Sequence, residues 1–251
     1  MARQYKGLVL AVQGRTDGAL AQVQAALSLA RNLNFQLIVA FTATILADVP
    51  LFRREGQDAA SLIREQIDYC SEHGLVFRSA AFEILHGAAQ GSLKSDPAAV
   101  AETEGGTLNW RKTGARIHVP TWSAFLAGIA LVADDIVTAE RALLDGIDTA
   151  QRNGGVFALA ELERLTGRLR KRQNRRDTAR RAFDRAVEIA RAQDAGLYLL
   201  RAGRDLAQLL AEEGEAQGAQ DLLAPIVGGV TEHKTGLDYQ ESSALLASLA
   251  G

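Results

Sequence analysis

The sequence predicts an all-α solenoid, a stack of helix pairs with a 40-residue period that winds into a right-handed superhelix. Three observations predict it. Small residues recur at strict 40-residue intervals: Ala19, Ala59, Ala99, Ala139, Ala179 and Ala219 form one series, and Gly7, Ala47, Gly87, Ala127, Gly167, Ala207 and Ala247 a second. Apolar residues keep the same register, in the series Leu37, Phe77, Ile117, Phe157, Leu197 and Leu237 and in Val9, Val49, Ala89, Ile129, Leu169, Leu209 and Leu249. The composition, with four prolines and 6% aromatics, suits close-packed helices and lacks the β-branched and aromatic residues that sheets want. Self-similarity at a fixed period is the mark of a repeat architecture.

Each period divides into two amphipathic helices. The register sets helix pairs at 1–33, 37–73, 77–113, 117–153, 157–193 and 197–233, with a closing helix at 237–250, and treats 1–251 as one repeat domain. Within the second helix of a pair the apolar residues keep helical spacing, as in Ala179, Phe183, Ala186, Val187 and Ala190. No helix buries its stripe alone, so consecutive pairs must stack. Asn34, Gly74, Gly114, Gly154 and Asp194 share the register after that helix, where a residue tolerant of positive φ ends it. Asp17, Asp58, Asp96, Asp135 and Asp177 are expected as its N-caps, with Pro97 suited to a first turn. Gly105 and Gly106 are expected to bend or fray their helix, at about 1 kcal/mol each relative to Ala. Pro50 and Pro225 are expected to kink their helices or end them early. The first helix, by the same register, would begin before residue 1, so the chain reads as the C-terminal part of a longer protein.

A net charge of −2 and a pI near 6.1 give no global attraction to nucleic acid or anionic lipid. Charge is uneven, however: residues 161–205 hold thirteen Lys or Arg against seven Asp or Glu. Cys70 is the only cysteine, which excludes an intrachain disulfide and a cysteine-rich zinc site. Its register partners are Ala30, Trp110, Ala150 and Ala190, so it reads as a core residue. No run approaches the roughly 18 apolar residues that span a bilayer, no signal-peptide core is present, and the cytoplasm is the default location.

In each unit the small residue and the alanine are twelve apart, as in Gly167 and Ala179, and Phe183 and Ala186 follow. This pattern resembles the tetratricopeptide consensus, which implies two helices in close approach within a unit and an alanine packed between units. The period is 40 instead of that family's usual 34, Glu163 stands where an aromatic is usual, and the closing proline is missing. The stretch AFDRAVEIARAQDAGLYLLRAGRDLAQLL, followed by Asp221-Leu222-Leu223-Ala224-Pro225, resembles the C-terminal helical region of large bacterial signal-transduction ATPases. That resemblance implies an array attached to an ATPase module, often with a nucleotide cyclase or DNA-binding effector, although the chain contains no G-x-x-x-x-G-K-[ST] loop.

Nothing in the sequence assembles a catalytic set. His73, His86, His118 and His233 fall in different units and registers, without metal-ligand spacing, and no cofactor is implied. The short loops do not resemble those of an (α/α) toroid carrying facing carboxylates. The concave face of the first helices is the candidate binding surface. Its register positions give Phe41, Leu51, Phe52, Ile84 and Leu131 as an apolar groove in the earlier units, and Arg164, Arg168, Lys171, Arg172, Arg201 and Arg204 as anion or peptide contacts in the later ones. Glu161 and Glu212 occupy the same positions among the arginines. Guanidinium groups suit bidentate capture of carboxylate or phosphate. The asparagines with which some tetratricopeptide arrays clamp a terminal carboxylate are absent. The run Arg168–Arg185 lacks the interleaved aromatics that stack nucleic-acid bases, so a protein or peptide partner, or other domains of a parent protein, is favoured. A small-molecule sensor for an anionic metabolite or nucleotide remains the alternative.

Overall fold

The computed structural model describes residues 2–250, with the Val76 side chain excepted. Among these the chain is helical with no strand. The pairs are α1 (Ala2–Val12) with α2 (Thr16–Asn32), α3 (Gln36–Phe52) with α4 (Gly56–Glu72), α5 (Val76–Leu93) with α6 (Pro97–Lys112), and α7 (Val119–Val132) with α8 (Ile136–Asn153). There follow α9 (Leu159–Arg172) with α10 (Arg176–Ala192), α11 (Gly196–Glu212) with α12 (Ala216–Gly228), and α13 (Leu237–Leu249). A single 3₁₀ turn, Val156–Ala158, precedes α9.

Helix ends follow the register with some corrections. Asn34, Gly74, Gly114, Gly154 and Asp194 all take positive φ, as their turns require. Only Asp96 and Asp135 cap with their side chains, accepting from the N–H of Ala98 and Thr138. Asp17, Asp58 and Asp177 instead lie inside the first turns, where a carboxylate still opposes the helix dipole favourably. The glycine pair leaves α6 continuous: a Cβ on Gly106 would sit 2.9 Å from Ile84 Cγ1, so this glycine permits helix contact. Both prolines lie inside their helices, α3 running past Pro50 to Phe52 and α12 past Pro225 to Gly228, so neither helix ends at its proline.

The odd-numbered helices pack on one another in sequence, α1 on α3 through to α11 on α13, and form the inner wall. The even-numbered helices lie outside, each against its neighbours in the chain. Small residues set these distances. A Cβ on Gly87 would stand 2.4 Å from Thr103 Oγ1 and 2.8 Å from the Ala99 carbonyl oxygen, so only glycine lets α5 approach α6 there.

The curvature is tight enough for the array to meet itself. After five helix pairs α11 returns to α1, and a Cβ on Gly196 would lie 2.5 Å from the Gln13 carbonyl oxygen. Gln13 Nε2 donates to Asp194 at 2.8 Å. Glu232 accepts from the N–H groups of Asp17 and Gly18 at 3.1 and 3.2 Å, placing a carboxylate on the α2 N-terminus. One pair further on, Arg54 at the end of α3 holds Glu241 of α13 at 2.6 Å. The core is continuous across this seam, with Leu8, Ala11 and Val12 in one buried cluster with Ala195, Leu197 and Tyr198.

Ala179 is fully buried where α10 meets its neighbours. Ala179→Phe should cost roughly 1 to 3 kcal/mol by overpacking. Because α11 supports α1, hydrogen exchange should rise in α10–α13 and in α1–α2 together. Exchange confined to the C-terminal helices would show the seam to be uncoupled.

Candidate functional site: a central cavity inside the turn

Closure converts the expected open groove into a cavity of about 580 Å³ with opposed walls. One wall is apolar, with Leu51 and Phe52 of α3 and Ala124, Phe125, Ile129 and Val132 of α7. Phe52 bridges the walls, its ring 5.7 Å from that of Phe125 and 6.4 Å from that of Tyr198. The other wall is ionic, from α9, α11 and α13. The apolar and basic stretches, which lie in different halves of the sequence, therefore face each other across the turn.

The arginines of this wall are largely neutralised. Arg164 forks onto Glu161 with two bonds of 2.8 and 2.7 Å and reaches Asp205 at 2.7 Å. Arg201 donates to Asp238 at 2.7 Å, to Glu161 at 3.3 Å and to the Phe52 carbonyl. Arg204 bonds Glu241 and Asp238. Burial alone would raise the Glu161 carboxyl, but Arg164 and Arg201 override it and hold the group at about 2. Burial likewise opposes ionisation of Asp238, and Arg201 and Arg204 hold it at about 2. Arg168 is the exception: its side chain is half exposed, and its nearest carboxylate, Asp205, lies 4.0 Å away.

Of the sequence candidates, Leu51, Phe52, Arg164, Arg168, Arg201 and Arg204 line this cavity. Leu131, Lys171 and Arg172 line an adjoining depression of about 490 Å³, which shares Arg168, Asp205 and Gln208 with the first. Lys171 is paired with Glu212 at 2.6 Å and Arg172 with Asp134 at 3.0 Å. Ile84 lies elsewhere, buried in the α5–α6 contact against Gly106. Phe41 also lies elsewhere, packed with Tyr5 and His118 at ring separations of 6.0 and 6.3 Å. Asp205, Asp238 and Glu241 escaped sequence reading, because nothing in one period shows which carboxylate of a later unit will reach an arginine. Cys70 is buried, and burial pushes its thiol up, as suits a core residue.

A second polar set is sealed in the core. Both carboxylate oxygens of Asp48 and both ring nitrogens of His118 are buried without a hydrogen-bond partner. Burial pushes the Asp48 carboxyl up to about 8, against the opposing charge of Arg78. Burial, reinforced by Arg78, pushes the His118 imidazole down to about 4. Arg78 itself lies over the Phe41 and Trp110 rings, 5.2 and 5.5 Å from their centroids, and burial lowers it to about 10. At neutral pH this set holds a neutral carboxyl, a neutral imidazole and one cation. Among the described residues no group of His, Cys, Asp or Glu is arranged to hold a metal, and no helix is long and apolar enough to cross a membrane.

No protein-family model and no curated protein matches the chain. Its structure is similar to that of BtubC (BKLC) from P. vanneervenii, with a TM-score of 0.60 at 18% identity, covering 92% of this chain and 91% of that one. It is also similar to a Rap protein complexed with Competence and Sporulation Factor, with a TM-score of 0.63 at 13% identity, covering 99% of this chain and 74% of that one. The TPR2AB domain of yeast Sti1, in complex with pHSP90, aligns with a TM-score of 0.42 at 13% identity over 100% of this chain and 98% of that one. The chain has a tetratricopeptide-like helical repeat fold.

Two predictions follow from the charges. Asp238→Asn leaves Arg201 buried with one partner fewer and should cost about 3 to 5 kcal/mol, read from urea unfolding at pH 7. For Asp48 the folded value is raised, so its stabilising contribution is complete below the unfolded value near 3.8 and is lost as pH rises toward about 8. Arg78, Trp122 and Tyr198 are the polar groups that act on it. Asp48→Asn should therefore gain stability relative to the parent between pH 5 and pH 8, as compared by unfolding midpoints. A pH-independent difference would mean that Asp48 titrates normally.

Proposed function

We propose that the chain is a non-enzymatic interaction and regulatory module that holds an extended peptide segment of a partner protein in its central cavity. The observation that carries this reading is that the two cavities are neighbours with Arg168, Asp205 and Gln208 in both linings. An extended segment would lay apolar side chains on Leu51, Phe52 and Phe125, pass the rims of Arg164, Arg201 and Arg204, and leave over Leu131 toward Lys171 and Arg172. The central cavity holds five arginines (54, 164, 168, 201 and 204) and four carboxylates (Glu161, Asp205, Asp238 and Glu241), a net of one positive charge. Such a site suits a segment with a single carboxylate directed at Arg168 and disfavours a polyanion. The structurally similar Rap protein, solved with Competence and Sporulation Factor, supports a bound factor as the ligand type.

A second reading, a sensor for an anionic metabolite or nucleotide, is favoured by volume alone. The central cavity falls within the roughly 300–1,000 Å³ typical of small-molecule sites. Either ligand would report to an effector in the same way if the array belongs to a larger signalling or transcription-regulating protein. The resemblance of residues 182–225 to the helical region of signal-transduction ATPases supports that context.

Thermal unfolding separates the readings. Gly128 lines the cavity and a Cβ there meets nothing within 4 Å, so Gly128→Leu should fill the cavity and leave the fold intact. A short apolar peptide with one carboxylate should raise the Tm of the parent, and Gly128→Leu and Arg168→Gln should each remove the shift. Phosphate and ATP should leave Tm unchanged. A Tm rise with ATP that Arg168→Gln abolishes would favour the sensor. Equal binding by the parent and Gly128→Leu would place the ligand outside the cavity.

A further inference from the structure

The seam encloses a second cavity, of about 260 Å³, which shares only Asp238 with the central one. Both sides of the closure wall it. The α1–α2 turn contributes Gln13, Gly14 and Thr16, and Arg53 stands at the end of α3. The rest comes from α11, α12, the segment 229–236 and α13, with Leu197, Leu200, Ile226, Val230 and Tyr239 as its apolar part. A cavity walled in this way is complete only when the turn is closed. Its size falls just below the roughly 300–1,000 Å³ of typical ligand sites, so it suits a small occupant.

The polar lining divides into groups already engaged and groups left over. Its carboxylates are engaged: Glu232 accepts from the N–H groups of Asp17 and Gly18 and lies 3.6 Å from Arg15, Asp194 accepts from Gln13, and Asp238 is held by Arg54, Arg201 and Arg204. Two donors are left over. Thr16, which is 2% exposed, keeps its Oγ1 without a hydrogen-bond partner. Arg53 turns its terminal nitrogens to Asp17 and Glu55, and its Nε–H is buried and unpaired. His233 Nε2 stands 3.4 Å from Glu55 Oε1 and makes no hydrogen bond.

A buried donor without a partner carries its full desolvation cost, which an acceptor oxygen relieves. That oxygen is not an anion's, because the lining holds three carboxylates against one arginine and would repel a negative charge. A cation brings no acceptor and would meet Arg53. A neutral carbonyl satisfies both conditions. We propose that this cavity is an effector site for a small neutral molecule with an apolar body and a carbonyl oxygen, the oxygen accepting from Thr16 Oγ1 and Arg53 Nε. The body lies on Leu197, Leu200 and Ile226. Since the bound molecule touches both sides of the seam and its site is complete only in the closed turn, binding shifts the array toward closure.

Hexanamide, hexanoate and hexylammonium share one tail and differ in the head group, so they test the assignment on the intact chain. Hexanamide should raise Tm and slow hydrogen exchange at residues 13–18 and 229–239 together, whereas hexanoate and hexylammonium should do neither. Thr16→Val keeps the side-chain shape and removes only the unpaired hydroxyl. It should match the parent in Tm without ligand and bind hexanamide roughly 2- to 10-fold more weakly. Leu200→Phe narrows the cavity and should abolish the response. Gly128→Leu, which fills the central cavity instead, should respond to hexanamide as the parent does. Loss of the response in Gly128→Leu would move the ligand to the central cavity and overturn the proposal. Equal responses to all three heads, or Thr16→Val binding as tightly as the parent, would overturn the carbonyl assignment. No response to hexanamide at all would leave the cavity to water and overturn the site.

Discussion

The guanidinium of Arg201 is held at once by Asp238 of α13, Glu161 of α9 and the Phe52 carbonyl of α3. Those three helices lie far apart in sequence, so this buried group fixes the pitch of the turn as well as one local contact. An ion pair out of water gives little net stability, since desolvation offsets the attraction. Its value here is geometric. An arginine in this place leaves few arrangements in which all its donors find acceptors, and the closed turn is one of them.

Closure explains why the cavity has the walls it has. An open solenoid presents its groove as a strip, with apolar residues of early units followed by basic residues of later ones. Once α11 reaches α1, the strip bends round and its ends oppose each other, with Phe52 between Phe125 and Tyr198. The same event changes the electrostatics. Carboxylates of α11 and α13 reach arginines of α3, α9 and α11, and a basic stretch becomes a nearly balanced lining.

The repeat was legible because packing distances are local. Gly87 must be small since Thr103 and Ala99 stand against it, and that need recurs each time a pair of helices crosses. Positive φ at Asn34, Gly74, Gly114, Gly154 and Asp194 was legible for the same reason. The radius of the superhelix was not, because it sums small angles over many junctions and no single residue encodes it. Leu51, Phe52 and four of the arginines line one cavity, while Phe41 packs with Tyr5 and His118 and Ile84 lies against Gly106, a difference that the register positions do not carry. The capping aspartates show a finer limit. A shift of one or two residues moves Asp17, Asp58 and Asp177 from the cap into the first turn, where the dipole still favours them and the sequence pattern looks the same.

The buried set around Asp48 shows how the closed turn constrains what the protein can tolerate inside. With Tyr198 and Trp122 near it, burial pushes the carboxyl up to about 8, and Arg78 has no carboxylate within ion-pair range among the described residues. The cation instead relies on the faces of Phe41, Phe77 and Trp110 and on the Thr44 hydroxyl. A helical array that needed only stability would fill this space with aliphatic residues. Polar groups sealed here cost stability by desolvation, while the apolar seam in which Leu8, Ala11 and Val12 pack with Ala195, Leu197 and Tyr198 stabilises the closed turn.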